Sequence, residues 1–112
     1  MEKRKSQVQT EELAQTRSHD DFVIESFRKD PEYAAVYLDS VLEDGDQEEL
    51  LQALRYMSTA FGGVAAIAAE AEMNANTLYR TLSTKGNPEL RTLTAILKAM
   101  GMRLAIRPIS QG

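Results

Sequence analysis

Apolar residues recur three and four positions apart along most of the chain, which is the period of one helix face. A short helix is predicted from Asp21 to Arg28, burying Phe22 and Phe27. Asp30-Pro31 marks the next start, with Asp capping and Pro in the first turn, where its missing N–H costs nothing. That helix runs to about Glu43 on an apolar face of Ala34, Tyr37, Leu38, Val41 and Leu42, and Gly45 closes it. Asp46 caps a third helix with Glu49 placed as in a capping box, and Leu50, Leu54, Met57 and Phe61 carry its apolar face to the Gly62-Gly63 break. Val64, Ile67, Ala68 and Ala71 share one face of a short helix, and Leu78 and Leu82 share one face of another from about Ala75 to Leu82. A last helix is predicted from about Pro88 to Met100, capped by Asn87 or a near neighbour, packed through Leu90, Leu93, Ile96, Leu97 and Met100, and stopped by Gly101. The expected fold is all-α, with five or six short helices in a single domain over residues 20–112.

The two short helices at Val64–Ala71 and Ala75–Leu82 are joined by Glu72-Met73-Asn74, which predicts a helix-turn-helix. Alanines in the first helix allow close approach, and the second helix is polar on its outer side. A plain helical hairpin with a solvated outer face gives the same apolar spacing. On the DNA-binding reading, Asn74 caps the second helix and reaches a phosphate, and Ala75, Asn76, Tyr79 and Arg80 face DNA. Asn76 and Tyr79 are candidates for base-edge or phosphate hydrogen bonds, and Arg80 for guanine or phosphate. Thr77 and Lys85 position the backbone rather than specify sequence.

The period changes after Gly101. Met102, Leu104 and Ile106 alternate with Arg103, Ala105 and Arg107, which predicts a C-terminal β-strand over residues 102–109. A lone strand leaves its backbone groups unpaired, so pairing with a second copy across a two-fold axis is expected, with Met102, Leu104 and Ile106 as dimerisation residues. A frayed tail or a strand packed locally on the helices is the alternative. A homodimer would read an inverted-repeat operator in double-stranded DNA, with half-sites about 34 Å apart.

Leu78-Tyr79-Arg80, Leu82-Ser83, Lys85-Gly86-Asn87-Pro88, Lys98-Ala99-Met100-Gly101 and Arg103-Leu104 together resemble the C-terminal half of the addiction-module antidote proteins. These are small bacterial helix-turn-helix antitoxins of the HigA type, within the phage-repressor-like (XRE) superfamily. Upstream, Asp30-Pro31-Glu32-Tyr33-Ala34, Tyr37-Leu38 and Gly45-Asp46 are similar to the same family's N-terminal half, so the resemblance spans about Asp20 to Pro108. It implies an antitoxin that represses its own operon and neutralises a cognate toxin, typically a small basic RNase of the RelE/HigB type. The chain departs from many relatives at Glu72, where they carry Gly.

Charge sharpens this expectation. The 112-residue chain has a net charge of −4, but residues 1–61 hold seven Lys and Arg against fourteen Asp and Glu, while residues 62–112 hold six against three. An acidic half suits a basic protein partner and a basic half suits phosphates. Residues 1–19 are polar and aperiodic, and read as a flexible arm whose Lys3, Arg4 and Lys5 could touch DNA. The chain has no cysteine, so disulfides and thiolate metal sites are excluded. No apolar run approaches the ~20 residues needed to span a bilayer, and the charged start has no apolar stretch behind it, so a cytoplasmic location away from membranes is expected. One histidine, His19, and no metal-ligand or phosphate-loop spacing predict neither an enzyme nor a cofactor or metal protein. The alternative to a DNA-binding antitoxin is a protein-binding module, antitoxin or adaptor, without DNA binding of its own.

Overall fold

The computed structural model describes residues 18–83 and 85–109. Six helices follow one another among them: α1 over residues 18–29, α2 (Pro31–Asp44), α3 (Gln47–Ala60), α4 (Val64–Glu70), α5 (Ala75–Thr81) and α6 (Leu90–Ala99). The order and approximate bounds follow the apolar periodicity. α1 begins earlier than expected, taking in Ser18 and His19, which the sequence placed in the arm. The rest of that arm, with Lys3, Arg4 and Lys5, lies outside the described residues.

Starts and stops obey local chemistry. Asp30 leaves helical geometry before Pro31 and its carboxylate accepts the Tyr33 N–H at 3.2 Å. Asp46 accepts the Glu49 N–H at 2.8 Å. Three helices end the same way, with a left-handed residue just past the cap. Gly63 N–H bonds to Ser58 O after α3, Met73 N–H to Ala68 O after α4, and Met102 N–H to Leu97 O after α6, each at 2.8 Å. The left-handed residues are Gly62, Glu72 and Gly101, so only the middle helix ends without glycine.

The core runs through all six helices. α2 packs on α3, α3 on α4, and α4 on both α5 and α6. α1 joins through Phe27, which is fully buried with its ring centroid 5.2 Å from that of Tyr37 and 5.7 Å from that of Tyr33. Leu51, Leu54, Met57, Leu78 and Ile96 are fully buried too, each contributing about 1.5–3 kcal/mol. Tyr56 locks α1 to α3, donating its hydroxyl to Asp20 at 2.6 Å and accepting from Gln52 at 2.8 Å. Burial, and then the Asp20 carboxylate, push the Tyr56 phenol up to about 12.

The expected C-terminal strand is absent: among the described residues there is no strand. Residues 102–109 run extended, and Met102 and Leu104 spend their apolar alternation on their own chain, half-buried against the core. A strand also needs a ladder, and no backbone–backbone hydrogen bond reaches residues 103–109 among those described. Other side chains differ from expectation. Phe22 points to solvent while Val23 and Ile24 pack inward, because Val23 and Ile24 stand four and three residues before the buried Phe27 and share its face, whereas Phe22 stands five before it and does not. Leu42 is partly open and Leu90 largely so. α6 starts at Leu90 after Glu89, which makes no side-chain cap bond. Asn87 caps nothing; its side-chain oxygen accepts from Gln47 at 3.3 Å.

Candidate functional site

α5 is seven residues long and owes its placement to both of its ends. Leu78 and, at its C-cap, Leu82 anchor one side in the core, and Ala75 is half-buried beside them. At the start, the Asn74 side-chain oxygen accepts the N–H groups of Asn76 at 2.9 Å and Thr77 at 3.2 Å. It therefore satisfies two donors that a helix start leaves without partners. At the far end, Arg55 of α3 donates to the Leu82 carbonyl, tying the last turn to the body of the domain. Ser83 folds back, its hydroxyl donating to Arg80 O at 2.7 Å.

What remains outside is a polar face. Asn74, Asn76, Thr77 and Arg80 are exposed, and Tyr79 is 57% exposed. Of the residues singled out on the sequence, only Ala75 is half covered. Lys85 stands exposed just beyond, in a turn held by Gln47, whose amide donates to Gly86 O at 3.4 Å as well as to Asn87. Gly86 cannot be replaced there, since a Cβ would lie 1.8 Å from Thr81 O. Among the described residues, neither Arg80 nor Lys85 has an ion-pair partner. Two cations and several hydrogen-bonding side chains thus face solvent from one rigid helix and the turn after it. Such a face can bind an anionic, hydrogen-bonding surface.

Glu72 sits at the other end of this face, exposed in the turn before α5 with φ +57°. It shares a shallow hollow of about 390 Å³ with Glu70 and Lys98. Gln47 and Arg55 support the face but were invisible in the sequence, because their partners lie 39 and 27 residues away. Of the residues expected at a dimer contact, Met102 and Leu104 are half-buried in their own chain, and Ile106 is fully open. Among the described residues no helix is long and apolar enough to cross a membrane, and no group of His, Asp or Glu could hold a metal ion.

The fold and this face define a small, all-helical domain that presents one short polar helix to solvent. Residues 18–108 match the family described as "probable addiction module antidote protein". The chain belongs to that family of addiction-module antidotes, which implies a cognate toxin as partner. An uncharacterized protein of Haemophilus influenzae is 28% identical over 87 residues, covering 78% of this chain and 89% of the relative. No solved structure matches the chain.

Proposed function

We propose that this antidote is a sequence-specific DNA-binding antitoxin of a type II toxin–antitoxin module, of the HigA type within the phage-repressor-like superfamily. On this reading α4, the turn and α5 form a helix-turn-helix, and α5 enters the major groove. The observation that carries the reading is the outer face of α5. Asn76, Tyr79 and Arg80 project from a helix fixed at both ends, with Lys85 beside them. Asn76 and Arg80 read base edges, while Asn74, Thr77 and Lys85 set the register on phosphates. The protein acts in the cytoplasm as a homodimer on an inverted-repeat operator and represses its own operon. It performs no catalysis and needs no cofactor. It also holds a basic toxin of the RelE/HigB type. Residues 18–49 suit that partner, with eleven Asp and Glu against two Arg and Lys.

The test is fluorescence anisotropy of the whole protein against the DNA upstream of its own gene, with a random duplex alongside, at two salt concentrations. Tight, salt-sensitive binding that prefers the upstream DNA is expected. Arg80→Ala should then weaken the preferred duplex by about 1–3 kcal/mol and the random one little. No preference at either salt would overturn the DNA reading. It would leave the acidic half as the working surface, favouring an antidote that acts through protein binding alone.

A further inference from the structure

An unspent apolar surface lies away from α5, where the C-terminal segment passes α2. Between α2 and residues 102–107 is a cavity of about 380 Å³, floored by Leu38 and Leu104 and edged by Val36 and Leu42. A second hollow of about 600 Å³ continues it along the same edge of α2, towards Ile106 and Ile109. Both hollows share Asp39, Leu42, Ala105 and Arg107, so they form one groove. Ile106 is 99% exposed, Ile109 91%, Val36 66% and Leu42 43%. Single open aliphatic side chains are ordinary on a protein surface, but four along one groove mark a contact site.

The charges say what covers it. The tail carries Arg103 and Arg107, and the α2 edge carries Asp39 and Glu43. Arg107 already pairs with Asp39 inside the chain, which shows that the tail's cations fit this acidic edge. Among the described residues, Arg103 and Glu43 have no ion-pair partner. The surface therefore holds knob and hole, cation and anion, side by side. A patch complementary to itself is what a closed two-fold interface requires.

We propose that the groove between α2 and the C-terminal segment is the seat for the same segment of a second copy. Ile106 and Ile109 of each copy pack against Val36 and Leu42 of the other, and Arg103 of each tail meets Glu43 of the facing α2 while Arg107 keeps its own Asp39. No β-ladder is involved. The seat rests on the homodimer of the proposed function and says how it is built, but it does not rest on the DNA contact, because the copy number is measured without DNA.

The chain has no cysteine, which allows a clean test. Light scattering of the wild type over a dilution series should give twice the 12.5 kDa chain mass. Ile106→Asp should halve that mass with an unchanged helical circular dichroism spectrum, since the Ile106 side chain is open to solvent. Ile106→Cys and Leu42→Cys, prepared separately, mixed and oxidised, should give a covalent dimer containing one of each. A monomeric wild type at every concentration overturns the proposal, as does a dimer that survives Ile106→Asp. A disulfide formed by Ile106→Cys alone and never in the mixture sets tail against tail, and overturns the tail-in-groove geometry. A monomer that still prefers its upstream DNA would remove this proposal and the homodimer but leave the DNA contact standing, and a dimer indifferent to DNA would remove only the DNA reading.

Discussion

Asn74 is where stability and the proposed DNA contact can be pulled apart. Its side-chain oxygen serves the Asn76 and Thr77 N–H groups, and α5 has only seven residues over which to spread the loss. Asn74→Ala removes both bonds. The freed donors are exposed, so water replaces the carbonyl, and the cost is that of a lost cap, about 1 kcal/mol. For a chain of this size that lowers the melting temperature by roughly 3–6 °C. Asn74→Asp acts in the opposite sense. The carboxylate accepts the same two bonds and gains from the helix dipole, so stability is kept or rises by a few tenths of a kcal/mol. It also places a negative charge on the face assigned to DNA. At about 5 Å from a phosphate the repulsion is roughly 1 kcal/mol at the dielectric of water and about 3 kcal/mol at an effective value of 20. Thermal melts and anisotropy titrations on the two variants give four numbers. The expected pattern is a less stable Ala variant and a fully stable Asp variant whose DNA affinity falls at least about fivefold. An Asp variant that melts like the wild type and binds DNA equally well would show that the start of α5 does not face phosphates.

Two further predictions rest on single groups. Ser58 is fully buried in α3 and its hydroxyl has no hydrogen-bond partner among the described residues, so Ser58→Ala removes an uncompensated desolvation cost and should raise the urea-unfolding free energy by about 1 kcal/mol; a clearly destabilised variant would reveal a partner for the hydroxyl. The Tyr56 phenol is held protonated in the folded chain up to about 12, above its unfolded value near 10, so its contribution is fully present below about pH 10 and is lost as pH rises towards the folded value. Urea midpoints measured below and above pH 10 should fall for the wild type, and fall less for Tyr56→Phe, which cannot ionise; equal slopes would dissociate the Tyr56–Asp20 bond from the alkaline loss.

Where the sequence could be read, one residue carried the whole instruction. Asp30, Asp46 and Asn74 cap because a short side-chain acceptor next to a helix start has one obvious use. Gly62 and Gly101 mark left-handed helix ends because no other residue adopts that geometry as readily. Glu72 obeys the same geometry without announcing it, and only the bond from Met73 N–H to Ala68 O shows why the turn closes. The errors came where a pattern had two solutions. Alternation after Gly101 is equally a strand or an extended segment with one face on its own core, and the half-buried Met102 and Leu104 decide for the latter. Phe22, Val23 and Ile24 are three consecutive apolar residues, of which a helix cannot bury all, and the aromatic lost. The polar face of α5 was legible from Leu78 and Leu82, since fixing two buried positions fixes the opposite side. Its supports, Arg55 and Gln47, depend on contacts that local sequence does not encode.

The scarcity of cations at the proposed interface allows the number of bound copies to be counted. Each chain offers Arg80 and Lys85 at the α5 face, and no other basic residue was assigned there. Arg80 in the groove and Lys85 on a phosphate both enter the counterion atmosphere of DNA, so one chain releases about two counterions, and log affinity falls with log salt at a slope of about −1.8. Between 50 and 200 mM salt that is a loss of roughly tenfold. Two chains on one operator double the slope to about −3.6 and the loss to roughly 150-fold. The fourteen acidic residues in the first 61 positions do not change this count, because the slope records counterions released at phosphates and not the net charge of the protein. A slope near −3.6 on the upstream duplex that halves with Ile106→Asp would join the two proposals: α5 grips DNA, and the tail groove brings the second α5. A slope that stays the same in a monomeric variant would mean that each α5 binds alone, and that the groove serves some purpose other than reading an inverted repeat.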